Sequence, residues 1–365
     1  MRLKTASDIV THLNISPDTA LALSDVSARY DIGISSHILN IIKDSADPAH
    51  DPVGKQYVPT EQELIVLADE LDDPIGDKPH TPVAGIVHRY KDRVLFKVTN
   101  TCAVYCRYCF RKEMVGQNAE HLSMDQQANA LEYIKSHPEI WEVILTGGDP
   151  LVLSSRRLEG ILNALDKIDH VKTIRIHSRV PIAQPLLIND THLSVFEKMQ
   201  KSIVLVLHVN HRKEINADVQ GLMKKLHRSG CSLLSQSVLL KGVNDSKSSL
   251  EELFRTLIGV HVKPYYIHHL DRAKGTHHFR VSLAQGMQIM KDLHKDLSGI
   301  CLPQYVIDIP GGYGKVPINR DYVRVADNGS YIIKDPSGKE HRYVDFPVIE
   351  TPDVDIQQGK IDGVR

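Results

Sequence analysis

Between residues 83 and 300, short runs of β-branched and aliphatic residues alternate with amphipathic stretches. This pattern limits the chain to a parallel sheet covered by helices, open or closed into a barrel. The strand candidates are 94–98, 143–145, 173–176, 203–207, 233–240 and 264–267, and helical candidates include 125–136, 155–165 and 283–297. Polar and glycine residues cluster just after the strands: Thr146-Gly147-Gly148-Asp149, His177-Ser178-Arg179, His208 to His211, and Asp271. Active sites of parallel α/β folds gather at those strand ends, so the chemistry is expected on that rim. Upstream, residues 1–45 read as short helices, with Asp18 a candidate N-cap. Residues 46–82 hold six prolines and read as an irregular wrapping arm with one helix near 61–70. The expected division is therefore 1–82 as arm, 83–300 as core and 301–365 as a C-terminal segment.

Composition removes several classes of function. Forty-four Lys and Arg against 45 Asp and Glu leave a formal charge of −1, which argues against a nucleic-acid binder working through a broad basic field. The longest aliphatic run, 203–207, is far too short for a membrane crossing, and the N-terminus lacks the apolar core of a secretory signal. A cytoplasmic protein is the expectation. The five cysteines cannot all pair with one another, and three of them, Cys102, Cys106 and Cys109, stand within eight residues. In a cytosolic chain that cluster points to metal or redox chemistry. The 20 histidines are scattered without metal-site spacing.

The triad has the spacing C-x3-C-x2-C and follows the strand candidate 94–98. Three close thiolates can hold three irons of a 4Fe–4S cubane, leaving the fourth iron open to an exogenous ligand. A structural zinc with a fourth ligand from elsewhere is the alternative. A second distinctive segment is Asp308-Ile-Pro-Gly311-Gly312-Tyr-Gly314-Lys315-Val316-Pro317. It is no Walker A loop, because the first glycine is missing and Val316 replaces the Ser/Thr. A lysine held among glycines can carry a carbonyl cofactor as a Schiff base; taken alone, a solvated turn lysine would explain it as well.

Taken together, the triad, Gly147-Gly148-Asp149 and the Pro-Gly-Gly-x-Gly-Lys segment resemble the lysine 2,3-aminomutase family of radical S-adenosylmethionine (SAM) enzymes. The resemblance runs from Gly85 to Tyr322 and implies a partial (β/α)6 radical-SAM barrel with an N-terminal helical arm and a C-terminal lysine segment. It implies a 4Fe–4S cluster on Cys102, Cys106 and Cys109, with SAM near Gly147, Gly148, Asp149 and His208. Pyridoxal 5′-phosphate (PLP) is expected on Lys315 and held by Arg89, Arg93 and Gln236. Arg111 would bind the substrate α-carboxylate, a planar task suited to a guanidinium. Asp271 and Asp308 would flank a substrate ε-ammonium, because a buried cation needs counter-charges, and on this reading neither aspartate touches a cofactor.

The implied reaction is conversion of L-lysine to β-lysine by 1,2-amino migration, with elongation factor P modification as a destination for the product. An electron donor such as flavodoxin or ferredoxin, a small amino-acid substrate and a homo-oligomer belong to the same expectation. The clostridial-type enzymes carry a C-terminal cysteine group that builds a zinc site between subunits, whereas no residue after Cys301 here is a cysteine, which puts that zinc and its mode of dimerisation in question. Arginine or glutamate as substrate, and a non-enzymatic iron–sulfur protein, are the competing readings.

Overall fold

In the computed structural model, residues 2–15, 17–116, 122–318, 323–326, 330–335 and 338–344 are described. The chain forms two compact units, Met1–Asn319 and Arg320–Arg365. The first opens with β1 (Arg2–Leu3), α1 (Ala6–His12), α2 (Pro17–Arg29), β2 (Ile34–Ser35) and α3 (Ser36–Ile42), with β1 and β2 paired antiparallel. Helix α2 begins at Pro17, so Asp18 stands in its first turn and not at its cap. The arm that follows is irregular. The helix expected near 61–70 shrinks to one 3-10 turn, Glu61–Leu64. Its acidic residues are drawn into long-range bonds: Glu63 to Arg107, and Glu70 to the N–H groups of Gly275, Thr276 and His277.

The core is one nine-stranded sheet. Its strands are β3 (Ile86–Tyr90), β4 (Arg93–Thr99), β5 (Glu142–Gly147), β6 (Thr173–Ser178), β7 (Ser202–His208), β8 (Ser232–Val238), β9 (Lys263–His268), β10 (Gln304–Ile309) and β11 (Gly314–Pro317). They lie in chain order across the sheet. Strands β4 to β10 run parallel, while β3 and β11 close the two edges as antiparallel hairpin arms. Among the described residues the two edges are not paired with each other, so the barrel stays open. The six helix-bearing crossovers make this the partial (β/α)6 barrel that the sequence implied.

The crossover helices are α4 (Met124–Ser136), α5 (Ser155–Asp166), α6 (Val180–Ala183) with α7 (Asp190–Lys198), α8 (Ala217–Arg228), α9 (Lys247–Gly259) and α10 (Leu283–Asp296). Three of them repeat one design. Ser154, Asn216 and Ser246 cap the first turns of α5, α8 and α9 with side-chain oxygens. Apolar residues at i, i+3, i+4 and i+7 then face the sheet: Leu158, Ile161, Leu162 and Leu165 in α5, and Leu250, Leu253, Phe254 and Leu257 in α9. Each buried side chain of this kind contributes about 1.5–3 kcal/mol, and Leu162→Ala would cost about 2–5 kcal/mol. The second unit is an antiparallel meander of β12 (Val323–Val325), β13 (Ser330–Lys334) and β14 (Glu340–Val344). Among the described residues no helix is long and apolar enough to cross a membrane.

Candidate active site

The cysteine loop leaves the C-terminal end of β4, and the N-terminal arm clamps it. Arg107, the loop's largest buried side chain, donates to Glu63 from Nε (2.9 Å) and Nη2 (2.7 Å), and to the Asp31 carbonyl from Nη1 (2.9 Å). Lys112 donates to the same Glu63 carboxylate at 3.2 Å. A second buried network lies behind Cys106. Arg179 donates to Tyr57 Oη (2.6 Å), Gln56 Oε1 (2.6 Å), Glu214 Oε2 (2.7 Å) and Tyr108 Oη, and Asn210 reaches the same Tyr108 and Gln56 oxygens.

The three thiols line one cavity of about 160 Å³ together with Gly147, Gly148 and Asp149. Burial raises all three thiols: Cys102 far above the usual value, Cys106 upward, and Cys109 to about 11. Binding to iron would therefore displace protons. Among the described residues no three His, Cys, Asp or Glu side chains converge on a point where a single metal ion would sit. In number and kind, three thiols on one cavity wall are the donors that a 4Fe–4S cluster with one open iron takes.

The Gly-Gly pair is a packing necessity. Gly147 has φ +117°, and a Cβ on Gly147 or Gly148 would overlap the carbonyl oxygens of Thr99 or Thr101. The chain instead comes close enough for Gly148 N–H to donate to Thr99 O (2.6 Å) and Asp149 N–H to Thr101 O (2.8 Å). The end of β5 is thus tied to the start of the cysteine loop. The Asp149 carboxylate accepts from Ser178 Oγ (2.7 Å) and from the N–H groups of Leu151 (3.0 Å), Arg179 (2.7 Å) and Val180 (3.1 Å). It joins the ends of β5 and β6.

A larger cavity of about 480 Å³ shares a wall with the first, formed by Arg111, Thr146, His177, His208, Gln236, His268 and Asp271. Its far side carries Lys315. The β10–β11 hairpin sets Asp308 directly opposite Lys315, and the lysine Nζ donates to the Asp308 carboxylate and to His268 Nδ1 at 3.1 Å. Lys315 N–H donates to Tyr90 Oη at 2.8 Å, which fixes the strand behind it. Antiparallel register is what brings Asp308 onto Lys315.

Burial alone would raise Asp308, but hydrogen bonding and charge from His268 and Lys315 hold it well below the usual carboxylate range. Asp271 behaves oppositely: burial, then the nearby Asp308 charge, push it up to about 7. Burial also keeps His208 at about 3 and His268 at about 4, so both rings are neutral near pH 7.

Every remaining residue expected at the site lines this large cavity. Arg111 donates to Asp77 Oδ2 at 2.6 Å while its buried Nε has no partner among the described residues. Arg89 donates to the same carboxylate (3.2 Å) and to the Ile75 carbonyl (2.6 Å), again leaving a buried Nε unpartnered. Arg93 lies over the Tyr90 ring and pairs with Asp92. Gln236 and His208 touch at 2.5 Å. Sequence reasoning missed Asp77, Arg107 and His268, and placed Arg179 on the rim without its buried network. Position at the end of β9 was an available signal for His268; the others sit in irregular or loop segments whose partners are distant in the chain.

Residues 96–257 match the model of the radical SAM superfamily. The chain is 34% identical over 361 residues to the L-lysine 2,3-aminomutase of Clostridium subterminale, covering 98% of this chain and 86% of that protein. It is 40% identical to the Methanococcus maripaludis enzyme of the same name, over 81% of this chain and 68% of the relative. A putative L-lysine 2,3-aminomutase of Aquifex aeolicus is 36% identical over 94% of this chain and 92% of its own length. A solved radical SAM methyltransferase from Sphaerobacter thermophilus aligns over 60% of this chain and 68% of its own, with 17% identity and a TM-score of 0.40. The chain belongs to the lysine 2,3-aminomutase family of radical SAM enzymes, which are isomerases.

Proposed function

We propose that this isomerase converts L-lysine to β-lysine by 1,2-amino migration. Cys102, Cys106 and Cys109 would hold the 4Fe–4S cluster, with SAM beside Gly147, Gly148, Asp149 and His208 and PLP on Lys315. The unpartnered buried nitrogens of Arg89 and Arg111 and the lysine at the cavity wall fit a phosphate, a carboxylate and a carbonyl respectively. When bound, these groups supply a 5′-deoxyadenosyl radical and the carbonyl through which the amino group migrates.

The chain's own residues orient the substrate. Arg111 would receive the α-carboxylate, and Asp271 with Asp308 the ε-ammonium. Buried walls on both cavities limit the water that reaches a radical. One observation carries the reading: Arg111, Asp271, Asp308 and Lys315 line one cavity, which shares a wall with the thiol cavity. Functionally, residues 1–82 would brace the cluster loop, 83–300 would form the core, and 301–365 would deliver the lysine. Release of the product toward elongation factor P modification is part of the proposal and rests on the family resemblance.

The test is anaerobic reconstitution with iron and sulfide, then incubation with dithionite, SAM, PLP and L-lysine, with β-lysine as the expected product. Arginine and glutamate run in parallel at equal concentration. Preferred turnover of glutamate would overturn the substrate, and stoichiometric zinc without iron or sulfide would overturn the radical chemistry.

A further inference from the structure

We propose that His268 is the proton acceptor that frees the Lys315 amine for attachment to a carbonyl and returns the proton when Lys315 is displaced. The inference rests on the reading that Lys315 carries PLP. The fold brings the three partners together from adjacent strands. His268 ends β9, Asp308 lies on the neighbouring β10, and Lys315 faces Asp308 from β11. Nζ lies 3.1 Å from His268 Nδ1, and Asp308 Oδ2 lies 3.7 Å from the same ring nitrogen.

A lysine ion-paired with Asp308 has no lone pair with which to attack a carbonyl. An ammonium can only donate, so Nδ1 accepts and the ring hydrogen sits on Nε2. That Nε2 is buried, has no partner among the described residues, and belongs to a ring lining both cavities. In the transfer an Nζ–H bond breaks and an Nδ1–H bond forms. The electron pair stays on Nζ, and the positive charge moves to an imidazolium beside Asp308.

Asp308 is the other acceptor in reach, but His268 and Lys315 hold it well below the usual carboxylate range, which leaves it the weaker base of the two. Burial and the Lys315 charge are what depress His268, and the second of these vanishes as the proton crosses. The other groups facing the ring are His177 and His208 from β6 and β7, both held neutral by burial, and Tyr266 on its own strand. None of them supplies a competing base at Nζ.

The experiment uses cluster-loaded, PLP-free protein without SAM or reductant. PLP is added, aliquots are quenched with borohydride at intervals, and the Lys315 peptide is weighed. Between pH 6 and 10, His268→Gln should trap PLP about 100-fold more slowly than wild type at pH 7, in the range of general-base effects. Its rate should climb with pH until the two proteins agree near pH 10. Free imidazole should restore part of the rate to His268→Ala, which a merely structural role would not allow. If the alanine protein misfolds, the glutamine protein and its pH profile carry the test. A His268→Gln rate and profile equal to wild type overturns the proposal while leaving PLP on Lys315. Failure to trap PLP on Lys315 in wild type overturns both readings.

Discussion

Replacing Asp271 by Asn isolates the substrate pocket, because Asp271 lines the cavity without bonding Lys315. Its carboxyl is pushed to about 7 by burial and by Asp308, so near neutral pH about half the resting molecules hold it protonated. A cationic substrate tail selects the ionised form. At pH 6 only about one molecule in ten is ready, which costs roughly 1.4 kcal/mol, or tenfold in kcat/KM for lysine. Wild type should therefore lose about tenfold per unit below pH 7 and level off above it. Asp271→Asn removes one member of a desolvated charge group, a loss of about 3 kcal/mol, so kcat/KM should fall about 150-fold on the plateau. The acid limb should vanish with it. The measurement is β-lysine formation from pH 5.5 to 8.5 at several lysine concentrations, with iron and PLP content checked at each pH. An acid limb that survives unchanged in Asp271→Asn would refute the assignment of Asp271 to the ε-ammonium.

Replacing Cys102, Cys106 or Cys109 by Ala should abolish SAM cleavage and drop iron below the roughly four atoms per chain expected of wild type, read by metal analysis. Asp308→Asn should lower kcat/KM for lysine at least 100-fold and also change the rate at which borohydride fixes PLP on Lys315, because it removes the lysine's ion-pair partner. Gly148→Ala should cut iron content after reconstitution, since its Cβ would strike the Thr101 carbonyl and push the cysteine loop away. The Asp271→Asn protein should also melt roughly 5 °C higher than wild type at pH 8 without substrate and nearly equally at pH 4, by scanning calorimetry. A carboxyl whose folded pKa is raised disfavours folding as pH climbs from 3.8 toward 7, and the amide removes that penalty.

How much of this was legible depends on where each signal resides. The parallel strands were readable because fully buried strands are nearly continuous aliphatic runs, as in β5 with all six residues buried. Strand β3 escaped the aliphatic pattern because it is an edge strand, with His88, Arg89 and Tyr90 only half-buried. Strands β10 and β11 hid inside the lysine motif, where the Gly311-Gly312 turn reads as a loop although it closes a hairpin. The cysteines and Lys315 stood out in short motifs, and Asp271 and Asp308 came only with the family resemblance. Their supports were not legible: Glu63 and Arg107 stand 44 residues apart, and Gln56 and Arg179 stand 123 apart. Local pattern carries no information about pairs that only the folded chain brings together.

The same long-range pairs decide what the large cavity can accept. Its walls carry Arg89, Arg93, Arg111, Arg175 and Lys315 against Asp77, Glu142, Asp271 and Asp308. Asp77 bridges Arg89 and Arg111, Glu142 binds Arg175 through two hydrogen bonds, and Arg93 and Lys315 pair with Asp92 and Asp308, so all five cations are answered within the protein. Loading PLP would bring a phosphate near two negative charges and would neutralise Lys315 on attachment. The loaded cavity is then acidic overall, with Asp271 and Asp308 no longer balanced by a lysine. A substrate with a cationic tail relieves that excess, whereas a glutamate side chain adds a third carboxylate to Asp271 and Asp308. Like charges brought together in a partly desolvated site cost several kcal/mol, which is the scale separating a good substrate from one that is never turned over. On the proposed function, specificity for a basic amino acid would follow from the ion pairs that already occupy these arginines before any ligand arrives.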